Sequence, residues 1–248
     1  MLYEQLRNAF IGIAGDHGLL DEAVVIESSV LTPAEAIGSP NRKDFPLQKG
    51  KEVLMQADFM GSKGQVYTDS PSRFRGTIQE IANLELTNPG QKALFIAALN
   101  AVARHVHPDL RTLHCKDEGP ELCASKIAEY VQDLSPRSVG IIGLQPAILE
   151  ALVTVMGKGR VRCIDRDEEN RNRVRYGVSI EWGDDRGLKH LFEESDLVLA
   201  TGSSVANGSL PGILSLSGDT GTPVYFYGTT IAGTARLMGL NHLCYESR

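Results

Sequence analysis

Two segments of this chain combine glycine with hydroxyl side chains. They are Thr201-Gly202-Ser203-Ser204-Val205-Ala206-Asn207-Gly208-Ser209 and Gly228-Thr229-Thr230. Each follows an apolar run and leads toward a predicted helix. Backbone N–H groups at such turns, with hydroxyl donors beside them, can hold carboxylate or phosphate oxygens. The same residue types also cap helices and close turns with no ligand present. The binding reading makes Thr201, Gly202, Ser203, Asn207, Gly208, Ser209, Gly228, Thr229 and Thr230 the candidate ligand contacts.

Further side chains belong with them. Asp165 ends an apolar strand, where a ribose-binding carboxylate falls in nucleotide-dependent enzymes. Asn100 interrupts the apolar run Leu94-Phe95-Ile96-Ala97-Ala98-Leu99, so its amide must find partners or cost a few kcal/mol. With Arg104 and His107 it follows i, i+4, i+7 spacing, a polar stripe that either bonds the two halves together or borders a cleft between them. Arg73 and Arg75, in Ser72-Arg73-Phe74-Arg75-Gly76, are the first half's candidates for reaching an anion, beside the plainer reading of a solvated basic loop.

Metal chemistry has one candidate cluster, His105, His107, His114 and Cys115, with Asp117 and Glu118 nearby. Imidazole and thiolate suit zinc, nickel or copper, but the spacing fits no zinc module, and histidines also suit a helix C-terminus. Other chemistries lack their motifs. Gly140 and Gly143 do not make GxGxxG, which disfavours NAD. No GxSxG surrounds Ser203 or Ser204, and there is no Walker sequence, HExxH or calcium loop. No cofactor is identified beyond a transition metal at that cluster, and no residue can be assigned as a general base.

The elements that must position these residues change grammar near residue 107. The first half opens with a helix carrying Leu2, Leu6, Phe10 and Ile13. Strand candidates follow at 24–30, 52–55 and 65–68, then helices from Gly76 to Asn83 and from Asn88-Pro89 to Val106. This is a segregated α+β pattern. Between His107 and Pro120 lies a polar linker, and a helix follows to about Leu134. From Ser138 onward, apolar strands at 139–143, 161–165, 178–182, 197–200, 224–226 and 242–245 alternate with helices, the mark of a doubly wound parallel sheet. The expected domains are 1–106 and 107–248. Ligands of such a sheet bind beyond the carboxyl ends of its strands, where strand order reverses, and that rule puts both glycine-hydroxyl turns at one edge.

The 248 residues carry a net charge of −6, with 42% hydrophobic and 23% charged side chains. That composition is globular, and its acidity argues against a phosphate-tracking nucleic-acid partner. The longest apolar region, from Val139 to Met156, is broken by Gln145, Pro146 and Glu150, too short for a membrane span. Met1-Leu2-Tyr3-Glu4 lacks the basic region of a signal peptide. Cys115, Cys123, Cys163 and Cys244 contain no CxxC pair and are expected as reduced thiols of a cytoplasmic protein, with Cys163 in the core.

The pattern Gly143-Leu144-Gln145-Pro146, Asp165 at a strand end, Asp196-Leu197-Val198-Leu199-Ala200-Thr201-Gly202 running to Asn207-Gly208-Ser209, and Gly228-Thr229-Thr230 after a late strand resembles the putative heavy-metal-chelation family. The segment Ala97-Ala98-Leu99-Asn100-Ala101 agrees. The resemblance implies an enolase N-terminal-like domain followed by a Rossmann-like domain partly similar to methyltransferases, with the site between them. It also implies a ligand of siderophore, pterin or flavin type. Thr201, Gly202, Asn207, Gly208, Gly228, Thr229 and Asn100 are the residues it favours. One departure is that Gly228-Thr229-Thr230 stands where a Gly-Pro-Ser-Thr-like turn is expected.

The resulting expectation is a protein that binds, and condenses or hydrolyses, a small anionic, metal-chelating compound between its domains. Two alternatives stand beside it: a non-catalytic carrier of metal or metal chelate, and a nucleoside-dependent transferase of the S-adenosylmethionine-using kind. The partner is a small molecule rather than a nucleic acid or a membrane, and the oligomeric state is not legible.

Overall fold

The computed structural model describes residues 2–27, 31–49 and 53–248. The chain opens with α1 (Leu2–Asp16), whose Leu6, Phe10 and Ala14 recur every four residues and are buried. Then come β1 (Ala23–Ile26), α2 (Pro33–Ile37), α3 (Pro46–Lys49), β2 (Val53–Phe59), β3 (Ser62–Thr68) and β4 (Phe74–Thr77). The four strands form an antiparallel sheet of order β3-β2-β1-β4. Ser28, Ser29, Val30 and Glu52, which the sequence reading put in strands, lie outside the described residues.

Gly76, expected to begin a helix, belongs instead to β4. The helix α4 (Ile78–Ala82) starts after Thr77, whose side chain accepts the Glu80 N–H while the Glu80 carboxylate accepts the Thr77 N–H. The long helix α5 (Pro89–Val106) starts as its sequence dictates: the Asn88 side chain accepts the Gln91 N–H at 3.0 Å, and Pro89 occupies the first turn.

The remaining elements are α6 (Gly119–Leu134), β5 (Val139–Ile142), α7 (Pro146–Met156), β6 (Val161–Asp165), β7 (Val174–Arg175), β8 (Val178–Trp182), α8 (Asp185–Glu193), β9 (Leu197–Thr201), α9 (Ser204–Asn207), α10 (Leu210–Thr220), β10 (Val224–Tyr227), α11 (Ala232–Met238) and β11 (His242–Leu243). They build a sheet of order β11-β10-β9-β5-β6-β8-β7, parallel except for the β7–β8 pair. The chain winds outward from β5 through β6 to β8, then returns to β9 and winds the other way. Strand order therefore reverses between β5 and β9. The α/β class with a doubly wound second sheet is the observed architecture.

Alternate strand residues enter different cores, as the pleat requires. Ile141, Cys163, Ile180 and Leu199 pack with Ile127, Ala128 and Val131 of α6 and with α7. Ile164, Val198, Ala200 and Phe226 join a second cluster that continues through α5 to Leu6 and Phe10 of α1. A single apolar cluster thus runs from the amino-terminal sheet to one face of the parallel sheet, with α5 in its middle. That is why α5 is apolar on almost every side.

Two glycines let the neighbours of α5 approach this closely. A Cβ at Gly64 of β3 would run into the Ala97 carbonyl and the Ala101 N–H. One at Gly233 of α11 would meet Leu99 and the Asn100 side-chain oxygen.

The segment between α5 and α6, expected as a linker, also extends the edge of β3. Thr112 accepts the Gln65 N–H through its carbonyl at 3.2 Å and donates its hydroxyl to the Lys63 carbonyl at 2.6 Å. Leu113 exchanges both backbone hydrogen bonds with Arg248, at 2.8 and 2.9 Å, which brings the carboxyl terminus back beside α6.

Candidate functional site

The loops after β5, β6, β9 and β10 emerge at one edge of the parallel sheet because those strands run the same way. Between them and the amino-terminal half lies a cavity of about 700 Å³, at the point where strand order reverses. A volume of that size suits a small organic ligand, and the position obeys the rule for open α/β sheets.

The cavity wall includes Thr201, Gly202, Ser203, Asn207 and Ser209 after β9, Gly228, Thr229 and Thr230 after β10, and Asp165 after β6. The two glycine-hydroxyl turns are joined directly, since Gly202 N–H donates to the Tyr227 carbonyl at 2.8 Å. The Tyr227 hydroxyl donates to the carbonyls of Gly143 and Ile142, at 2.5 and 3.1 Å, and so fixes the β5 loop against β10.

Within the first turn, Thr201 Oγ1 accepts the Ser203 N–H at 3.3 Å. Asn207 Oδ1 accepts both the N–H and the hydroxyl of Ser209, at 3.0 and 2.8 Å. Gly208 has φ +89° and stays out of the wall, beside Lys92. Thr230 is partly spent on architecture, its hydroxyl oxygen accepting the Tyr67 N–H at 2.9 Å. The buried Thr229 hydroxyl has no hydrogen-bond partner among the described residues.

Several expected contacts are corrected by their surroundings. Asn100 is fully buried and does not line the cavity. Its Nδ2 donates toward the carbonyls of Gln65, Thr230 and Thr229 at 2.9, 3.0 and 3.4 Å, and its Oδ1 accepts the Gly233 N–H at 2.8 Å. It bonds the two halves together, because every direction in which the amide can reach is already taken by backbone. Arg104, from the same stripe, donates to the Arg248 carbonyl. Arg75 is 76% exposed, pairs with Glu27 at 3.3 Å, and lies away from the cavity.

Asp165 lines the cavity, but its oxygens accept the N–H groups of Leu144 and Asp167, at 2.5 and 2.7 Å, and the Asn170 amide at 3.2 Å. It ties the loop after β6 to the loop after β5, a role that competes with holding a ribose.

The histidine–cysteine cluster does not assemble. The His105 ring lies edge-on to Phe59 at 5.3 Å, and His107 caps the end of α5. His114 and Cys115 reach the cavity wall instead. Among the described residues, no group of three or more His, Cys, Asp or Glu side chains could hold a metal ion. The His114 pKa is lowered to about 4, chiefly by burial, against the opposing pull of the Cys115 and Ala36 carbonyls. Its ring nitrogen Nδ1 sits 2.6 Å from the Cys115 carbonyl oxygen.

Sequence reasoning missed two parts of the wall. One is the amino-terminal contribution, Asp44, Phe45, Tyr67 and Asp69, from the segment before α3 and the end of β3. Only the strand at 65–68 carried a signal for it. The other is the company of Cys115, named above only as a metal candidate: Cys123 and Cys244 line the same wall because β11 stops at Leu243 and the tail turns back onto α6. The Cys123 pKa is lowered to about 7, first by the Cys244 thiol that donates to its sulfur and then by the N–H groups of Glu246 and Tyr245. The Cys244 thiol is correspondingly raised, as donor in that contact and by burial. Burial also raises Cys115, to about 12.

A profile of the family DUF364, described as "Putative heavy-metal chelation", matches residues 126–239. A search of curated proteins found no match. Among solved structures, a DUF364 protein of unknown function from Pyrococcus horikoshii is similar with a TM-score of 0.58 and 16% identity, over 93% of this chain and 80% of that one. Another DUF364 protein of unknown function, from Desulfitobacterium hafniense DCB-2, is similar with a TM-score of 0.53 and 16% identity, over 95% and 83%. At that identity the structures establish a shared fold and nothing finer. No helix among the described residues is long and apolar enough to cross a membrane. The profile match thus covers most of the second half of the chain, and the fold shared with DUF364 proteins extends across nearly all of it.

Proposed function

We propose that the protein binds a small, anionic, metal-chelating compound in the cavity between its two halves. The observation that carries this reading is the space of about 700 Å³ at the strand-order reversal, walled by both glycine-hydroxyl turns. The wall supports a ligand that bears both signs of charge. Arg166 and Arg175 face it along with Asp44, Asp69 and Asp167, and a metal chelate presents anionic oxygens around a cationic centre. The metal then arrives as part of the ligand, which agrees with the lack of a protein-borne ligand set among the described residues.

The nucleoside reading is weaker because the Asp165 oxygens already hold three loop donors. The carrier reading that used the histidine cluster loses its site. Chemistry on the bound compound, condensation or hydrolysis, has no assigned base.

A thermal-shift series separates these readings, since a compound that binds only the folded chain raises its melting temperature. Catecholates, pterins and flavins, each with and without ferric ion, are compared with S-adenosylmethionine. Stabilisation by a chelator class, lost in Thr201→Val or Asn207→Ala, is expected. Stabilisation by S-adenosylmethionine alone contradicts the proposal.

A further inference from the structure

Three of the four cysteines face the same cavity, and two of them, Cys123 of α6 and Cys244 of the returning tail, lie near enough for the Cys244 thiol to lower the Cys123 pKa. The backbone N–H groups of Tyr245 and Glu246 act on Cys123 in the same direction. The tail is held in that place by the Leu113–Arg248 backbone pair and by the ion pair of Lys126 with Glu246. Cys163 is sealed in the sheet core and does not reach the cavity. Cys115, Cys123 and Cys244 all fall outside residues 126–239, so the family match assigns them nothing.

We propose that Cys123 and Cys244 form a dithiol that exchanges with small-molecule disulfides entering through the cavity. Convergent donors stabilise a thiolate, and a thiolate is the nucleophile in exchange. The Cys123 thiolate attacks one sulfur of a disulfide RSSR, forming Cys123–S–SR and releasing RS⁻. Cys244 then loses its proton, attacks the Cys123 sulfur and expels the second RS⁻. The products are one intrachain disulfide and two thiols, so RSSR is the two-electron oxidant and the dithiol is the reductant. Two neighbouring thiols suit this chemistry better than metal chelation, for which no group of three ligands is assembled among the described residues. The inference does not depend on what the cavity binds.

The test uses the full-length chain, reduced and then equilibrated anaerobically over a series of reduced-to-oxidised glutathione ratios. Samples are quenched in acid, alkylated and mapped by mass spectrometry. One linkage is expected, joining the peptides that carry Cys123 and Cys244. In Cys244→Ser, Cys123 stops at a single glutathione adduct. In Cys123→Ser, Cys244 takes up glutathione about tenfold more slowly than Cys123 does in the unaltered chain. Cys163→Ala leaves the linkage unchanged.

Linkage through Cys115, or none at the most oxidising ratio, overturns the proposal. So does isolation of the chain with a stoichiometric metal ion on these thiols. A readout on the unaltered chain removes dependence on variant folding: brief iodoacetamide treatment at pH 7 marks Cys123 first. Labelling of Cys115 or Cys244 first overturns the assignment.

Discussion

The turn after β10 borders two regions of opposite character. Toward α5, the carbonyls of Thr229 and Thr230 receive the Asn100 amide, and the groups around that amide are paired and buried. Toward the parallel sheet's edge, the same two residues border an open cavity, and the Thr229 hydroxyl has no partner among the described residues. A polar side chain between two halves of a protein can therefore be a staple or a contact for a ligand, and the count of its partners separates the cases. Asn100 has used its donors and its acceptor. Thr229 has not.

The strongest way to break this contrast is to remove the staple. Asn100→Leu leaves the Gly233 N–H and the carbonyls of Gln65 and Thr230 buried without the partner they now share, and each such group costs about 1–3 kcal/mol. Urea unfolding at pH 7 is expected to show a loss of at least about 3 kcal/mol. A loss under about 1 kcal/mol would mean that Asn100 is not the bond between the halves.

His114, on the cavity side, supplies a comparable effect through pH. Its folded pKa of about 4 lies below the ordinary 6.5, so as pH falls the unfolded chain takes up the proton first. Stability from this group is complete above pH 6.5, drains away between 6.5 and 4, and is gone below 4. The full swing is roughly 3 kcal/mol. Unfolding free energies from pH 8 to pH 4 should follow that course, and His114→Gln should flatten it by that amount.

Gly64→Ala tests how tightly the closed region is packed. The added methyl collides with backbone of α5, and accommodating it should cost about 1–3 kcal/mol in the same urea assay. The smallest effect is expected at Arg75→Ala, since both Arg75 and Glu27 are exposed. Its stability should stay within about 0.5 kcal/mol of the unaltered chain, and any chelator-induced thermal shift should be unchanged.

Much of this arrangement is written in local sequence. Asn88-Pro89 announces the start of α5, and the apolar run around Asn100 announces a buried amide. Alternating strands and helices announce a parallel sheet whose loops share an edge, which is enough to bring the segments at 201–209 and 228–230 together. What remained hidden depends on returns of the chain from far away. Nothing near Asn100 says that its partners are backbone groups of β3 and the β10 turn. Cys123 and Cys244 meet only because the tail pairs with Leu113. The histidines failed for the reverse reason, since closeness in sequence puts His105 and His107 at the end of α5, while His114 lies beyond a turn at the cavity wall. Asp165 was read from its place at a strand end, but its bonds to Leu144, Asp167 and Asn170 follow from loop closure that no strand pattern records.

The central claim is that the space beside Thr201 and Thr229 receives a metal-chelating ligand. Native mass spectrometry of the purified chain against Ser203→Trp, which places an indole at the wall of that space, tests it most directly. A chelator added with its metal should give a one-to-one adduct on the unaltered chain and at least about tenfold less on Ser203→Trp, with both proteins melting as folded species. Equal adduct on the two proteins would place the ligand elsewhere and contradict the account.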